Sequence, residues 1–252
     1  MAIPAQNIDE VLLELDKIID QSVAENNHLG IFAYVYRRTT AQVKQAITGK
    51  QFEDNPRMEK MDVAFANLYL KAYQDFRLKK GCSAAWQTAF DADKSRVTII
   101  QHIMLGMNAH INLDLCVAAA TFAPGASMQA LENDFMQVNQ ILNGLVNEMQ
   151  DKVSRVSKLM RVLDWMGKNT DELIINFSMV KAREQAWQFA CHLATLEPDE
   201  QHSVIIKKDS RISAFGQLLI NPPGILLKLA VKVIALFETK DVNTIIDRLR
   251  AG

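Results

Sequence analysis

Cysteine is scarce: 252 residues hold three, Cys82, Cys116 and Cys191, far apart and odd in number. No CxxC pair occurs, which argues against a disulfide framework and a thiolate zinc site. Cys116 and Cys191 fall in apolar helical runs and are expected to behave as small core hydrophobes. An excess of one charge is lacking as well, since 28 basic and 29 acidic residues leave a formal net charge of -1. That balance offers no long-range attraction for a polyanion, so no nucleic-acid partner is expected. No run reaches ~18 uninterrupted apolar residues, so no transmembrane segment is expected. The opening "MAIPAQNIDEVLLELDKIID" has no basic region leading into an apolar one, so it does not read as a secretory signal; the expected compartment is the cytoplasm.

What remains is helix. "NIDEVLLELDKIID" offers Asn7 as an N-cap with Glu10 three residues on, a capping-box pattern. The run "LGIFAYVYRRTTAQVKQAI" is the one place compatible with a strand, at Phe32, Tyr34 and Tyr36, before Thr39 or Thr40 caps a helical turn. Pro56 suits the first turn of the next helix, which carries apolar residues at helical spacing to Phe76. Asp93 or Ser95 is the expected cap of the central helix, and Pro124 and Gly125 end it. A long helix follows from about Met128 to Asp151. "VSRVSKLMRVLDWMG" continues to about Gly167, and a late helix runs from an Asn169 or Thr170 cap to a stop before Pro198. Pro222, Pro223 and Gly224 break the tail into two helices. No composition shift marks a linker and no repeat is visible. The prediction is an all-α, single domain over residues 1–252, with about eight to ten helices around a central buried helix.

That central helix, Val97 to Ala120, is apolar yet carries Gln101, His102, Asn108, His110, Asn112 and Asp114. At ~100° per residue, Gln101, Asn108 and Asn112 share one edge while His102, His110 and Asp114 fall within ~120° on another. His110 and Asp114 are one turn apart, so they suit ligation of one metal or an imidazole oriented by a carboxylate. A strut that only holds helices together satisfies the same pattern. Gly106 would let another helix or a ligand approach, and His102 reaches the His110 side only at its rim. The amides are expected to bond between helices. Asp62, ahead of an apolar helical face, is the leading distant carboxylate; Asp134 and Asp164 are further candidates that also suit caps or surface. Arg38, after two aromatics, could fork a carboxylate or phosphate. Arg183 and Trp187 share a late-helix face and are expected to pack as a cation–π pair. His28 and His202, in expected turns, carry little signal.

"QHIMLGMNAHINLDLCVAAA", with "MDVAFANLYLKAY" upstream and "KAREQAWQFA" downstream, resembles the bacterial domain family of unknown function numbered 5995, over about residues 31–196. Its signature maps onto Arg38, Asp62, Asn67, Tyr69, His102, Gly106, Asn108, His110, Asp114, Arg183 and Trp187. The resemblance brings no activity with it. "HINLD" is also similar to the HxxxD pair of zinc-dependent phospholipase C and the S1/P1-type nucleases. The "HQPLH"-like continuation and N-terminal Trp ligand of those families are missing, which argues against a trinuclear zinc phosphodiesterase.

The first functional expectation is a small-molecule hydrolase with a polar cavity between helices. If a divalent metal (zinc, manganese or iron) is present, His110 and Asp114 ligate it, Asp62 completes the shell, and His102 or Arg38 serves the leaving group. The second is a non-catalytic binding or scaffold protein whose buried polar residues fix helix register. The apolar tail, residues 222–252, reads either as a helix packed on the domain or as a peripheral membrane contact with Lys228 and Lys232 snorkelling to headgroups. Oligomeric state is left open by the sequence.

Overall fold

Helix-start chemistry sets where each element begins. In the computed structural model, which describes residues 4–125, 127–156 and 179–251, the side chain of Asn7 accepts the Glu10 N–H and opens α1 (Ile8–Glu25). α2 (Leu29–Thr48) starts after His28, and α3 (Asn55–Arg77) starts at Asp54, which accepts the Arg57 N–H, with Pro56 in the first turn. Ser83 caps α4 (Ala84–Asp91). The central helix α5 (Ile99–Phe122) opens on a complete capping box between Thr98 and Gln101. After it come α6 (Ser127–Val156), α7 (Met179–Leu193), α8 (Pro198–Ile220), α9 (Ile225–Phe237) and α10 (Val242–Arg250). These ten helices form one all-α domain, and no strand occurs among the described residues.

Three local expectations are corrected. Phe32, Tyr34 and Tyr36 lie inside α2, not in a strand. Their alternation arises because α2 is buried on opposite sides. Phe32 and Tyr36 stack on one face, while Tyr34 donates its hydroxyl to the Leu249 carbonyl at 2.8 Å on the other. The α2 helix therefore needs no cap at Thr39 or Thr40. The central helix is capped by Thr98 rather than Asp93 or Ser95. The breaks at Pro124–Gly125 and Pro222–Gly224 stand as expected. The expected cap at Asn169 or Thr170, the stop at Gly167 and Asp164 lie outside the described residues.

α5 is long and apolar enough to cross a bilayer, yet 78% of that window is buried within the fold. Helices α2, α4, α7 and α8 pack along it. At Gly106 α2 comes close, since a Cβ there would lie 2.2 Å from Phe32 Cγ. Gly106 therefore admits another helix, α2. The core is continuous from Val11 and Leu15 in α1 to Ile245 and Leu249 in α10. Cys116 is buried, Cys82 and Cys191 are half-buried, and all three are free thiols.

Because Phe32 Cβ as well as its ring blocks the space, rotation of the ring alone cannot make room for a methyl group. Gly106→Ala is expected to destabilise by about 1–3 kcal/mol in urea unfolding. Phe32→Leu in the same background should recover part of that loss, whereas an unchanged midpoint for Gly106→Ala would show that α2 and α5 are not in tight contact here.

Candidate functional site

The "HINLD" stretch is not ordinary α-helix. Residues His110–Asp114 form a π-helical turn inside α5, in which the Leu115 N–H bonds back to the His110 carbonyl. Such single-turn insertions change the phase of the side chains that follow. Within it His110 Nδ1 lies 2.9 Å from Asp114 Oδ2, and the same oxygen accepts the Trp86 indole N–H at 2.9 Å. Asp114 thus joins α5 to α4. An acceptor-only carboxylate assigns the imidazole proton to Nδ1, which leaves Nε2 as a bare lone pair. That Nε2 is buried and has no hydrogen-bond partner.

The imidazole stands in an aromatic shell. Phe65 stacks on it with centroids 3.7 Å apart and 9° between planes, and Tyr36 meets it edge-on at 4.3 Å. Phe32, Tyr69 and Trp86 complete the shell at 5.9, 5.9 and 6.0 Å. Burial pushes the His110 pKa down, against the pull of Asp114, so the ring is held neutral. Burial pushes Asp114 up, opposed by its bonds from His110 and Trp86. Further buried polar atoms stand without partners nearby: the Tyr69 hydroxyl, and the Tyr36 hydroxyl, which faces Thr40 without a bond of good geometry. The Tyr36 hydroxyl is pushed far up by burial and then by the charges of Asp62 and Asp114, which places it in the field of both carboxylates.

Asp62 is buried on α3 with Oδ2 unpartnered. Burial raises its pKa to about 7 despite the opposing charge of Arg183. Asp62 does not join His110 and Asp114 in one donor set; no group of three His, Cys, Asp or Glu able to hold a metal occurs among the described residues. The pair also faces inward, Nδ1 to carboxylate. A metal at His110 would use Nε2, with Asp114 orienting the ring from behind instead of ligating beside it.

The other candidates make contacts of their own. His102 stacks on His28 with centroids 4.9 Å apart, and the two line a cavity of about 20 Å³ with Phe32, Trp86 and Gly106. That volume suits about one water molecule. Burial, then the neighbouring His28, lowers the His102 pKa to about 3. Asp93, expected as a cap, instead accepts the His28 backbone N–H at 2.8 Å and lies 3.0 Å from His28 Nδ1. Arg38 is half-buried on α2. Asp134 accepts the Glu53 and Asp54 N–H groups and Arg57, so it ties α6 to the start of α3. Gln101 donates to the Leu219 carbonyl and Asn108 to the Ile212 carbonyl, the interhelical bonds expected of amides. Arg183 lies over the Phe135 ring at 4.6 Å and donates to the Phe135 carbonyl, so its cation–π partner is Phe135 rather than Trp187, which packs on that same ring.

Sequence reasoning missed Trp86, Phe65 and His28. A tryptophan in the short run "CSAAWQTAF" was the available signal for the first, because a buried indole N–H needs an acceptor. No sequence signal pairs His28 with His102.

The raised pKa of Asp62 fixes a sign. The buried acid stays neutral while its unfolded counterpart ionises, so its contribution is fully present below about pH 4 and is lost as pH rises through about 7. Relative to Asp62→Asn, the parent should lose stability between pH 4 and 8, by at most about 4 kcal/mol. Urea titrations across that range measure it, and parallel pH profiles for the two proteins would contradict the burial of this carboxyl group.

Neither the curated proteins nor the solved structures contain a match to this chain. A family model does match, over residues 8–222, and so reaches well beyond the 31–196 read from the motifs to include α1 and α8. The region holds every residue of the aromatic shell and both partners of the His110–Asp114 pair. The chain belongs to the family of unknown function DUF5995.

Proposed function

We propose that this protein is a small-molecule hydrolase in which His110 Nε2 is the general base. One observation carries the reading: an imidazole fixed from behind by a carboxylate, with its second nitrogen buried, bare and unpartnered. Buried polar atoms are seldom left without a partner, and a lone pair held this way is suited to a proton that arrives with a substrate or a water. Asp114 fixes the tautomer and stabilises the imidazolium formed when Nε2 takes a proton from the attacking water. Trp86 keeps Asp114 from turning away. Because burial holds the ring neutral, the base form is present at neutral pH. An ester or phosphoester of small size suits this chemistry, and the surrounding rings favour an apolar body. A zinc, manganese or iron ion on Nε2 would occupy that same lone pair and so would stand in place of the base role.

The alternative is a non-catalytic binding or scaffold protein. The observation favouring it is closure, since His110 and Asp114 are 2% and 6% exposed and the shell around them is filled by side chains. The two readings separate on one substitution. His110→Asn keeps a donor in the place of Nδ1 and deletes Nε2. We expect turnover of small chromogenic esters or phosphoesters by the parent and its loss in His110→Asn, with metal content measured in both. Asp114→Ala orphans two donors and should cost about 1–3 kcal/mol in urea unfolding. No turnover by the parent, together with large coupled losses for His110→Ala and Asp114→Ala in a double-mutant cycle, would give the pair to the scaffold reading.

A further inference from the structure

Of the ten large apolar side chains that stand exposed among the described residues, six are on α9. They are Ile225, Leu226, Leu229, Val233, Leu236 and Phe237, with Ile225 82% and Phe237 71% exposed. At about 100° per residue they fill an arc of about 120°. Leu227, Val231 and Ile234 lie on the opposite side, where they pack with Ile100 in a small cluster separate from the main core. Lys228 and Lys232, both exposed, run along one border of the apolar arc. No acidic residue occurs within Ile225–Phe237. The first one after it, Glu238, is buried and accepts the Ile99 N–H at 2.7 Å, so it does not offset the lysines at the surface.

We propose that α9 docks the protein on an anionic lipid surface, its six exposed apolar side chains entering the acyl boundary and Lys228 and Lys232 meeting the phosphates. Length excludes a span by α9 itself: 13 residues reach about 20 Å against about 30 Å of hydrocarbon. Joining α8 to α9 would give enough apolar length, but the two are bent by 75°. α8 is also fastened in the domain by Gln101 and Asn108, and by Asp209, which accepts the Ala84 and Ala85 N–H groups. It cannot leave to straighten the pair. Composition selects lipid over a protein partner. Protein interfaces are depleted in lysine and enriched in aromatics and arginine, whereas an aliphatic face bordered by lysines is the make-up of an interfacial helix. α9 lies beyond the family match, which ends at residue 222, and the docking argument uses no residue of the His110 site.

Flotation of the full chain with vesicles tests it. With phosphatidylserine in the vesicles the protein should float, less so as salt is raised and less on phosphatidylcholine alone. Lys228→Gln and Lys232→Gln should each weaken binding about fivefold. Leu229→Glu with Val233→Glu should remain with the unbound fraction while keeping the parent's thermal melt, since both positions are exposed. Failure of the parent to float with phosphatidylserine vesicles would overturn the proposal, as would equal flotation of the glutamate variant. A dimer dispersed by the glutamate substitutions, without lipid binding, would assign the face to a second copy and overturn it as well.

Discussion

A helix with amides, imidazoles and a carboxylate along its length can occupy the middle of a core only if those groups find partners there. This constraint organises the molecule around α5. Gln101 holds the C-terminal end of α8 through the Leu219 carbonyl, and Asn108 holds its middle through Ile212. Asn112 donates to Asn108 and so keeps that amide turned toward α8. On the other side Asp114 takes the indole of α4. α8 returns the contact, because Asp209 accepts the first free N–H groups of α4. Helices α4, α5 and α8 are therefore tied together, and loss of the acceptors of Trp86, Gln101 or Asn108 would leave buried donors, which is costlier than the bonds are favourable.

The π-turn is where that plan changes. Up to Ala109, α5 follows ordinary periodicity and places its amides toward α8. At His110–Asp114 the helix makes its π-turn, and the polar pair there faces α2, α3 and α4. The same segment meets the aromatic shell, and His110 is the place where the accounting of donors and acceptors fails to close. Gln101, Asn108, Asn112 and Asp114 are all bonded, but the buried Nε2 of His110 is not. Asp62 and the hydroxyls of Tyr36 and Tyr69 are similarly under-satisfied in the neighbouring helices. Buried polar atoms left without a partner are uncommon, and each asks for a physical explanation.

The C-terminal helices invert a simple hydropathy reading. α9, the more apolar, leaves most of its large side chains in the open, while α10, with more charge, buries Val242, Ile245, Ile246 and Leu249 completely. α10 is anchored by Asn26, which accepts the Val242 N–H, and by Tyr34 at Leu249. Amphipathic spacing, with apolar residues on one face only, lets α10 pack against the domain. α9 is apolar around most of its circumference, so one face packs and the other remains.

Much was determined by the sequence alone. The all-α class, the caps at Asn7, the Pro56 start, the breaks at Pro124–Gly125 and Pro222–Gly224, and the family all follow from local residues, because caps, breaks and periodicity act within one or two turns of the chain. The i,i+4 contact of His110 with Asp114 is local in the same sense. Tertiary structure decided the rest. Alternation at Phe32–Tyr36 could not be told from a strand until Leu249, more than two hundred residues away, was seen to bury the Tyr34 side. Gly106 acquired its role only when Phe32 came to lie against it. The direction of His110, with Nδ1 engaged and Nε2 bare, depends on Trp86, Phe65 and Tyr36 from three other helices. The placing of Asp62 and His102 relative to that pair depends likewise on how those helices pack, since spacing along a chain fixes the neighbours on one helix and says nothing of the angle at which the next helix arrives.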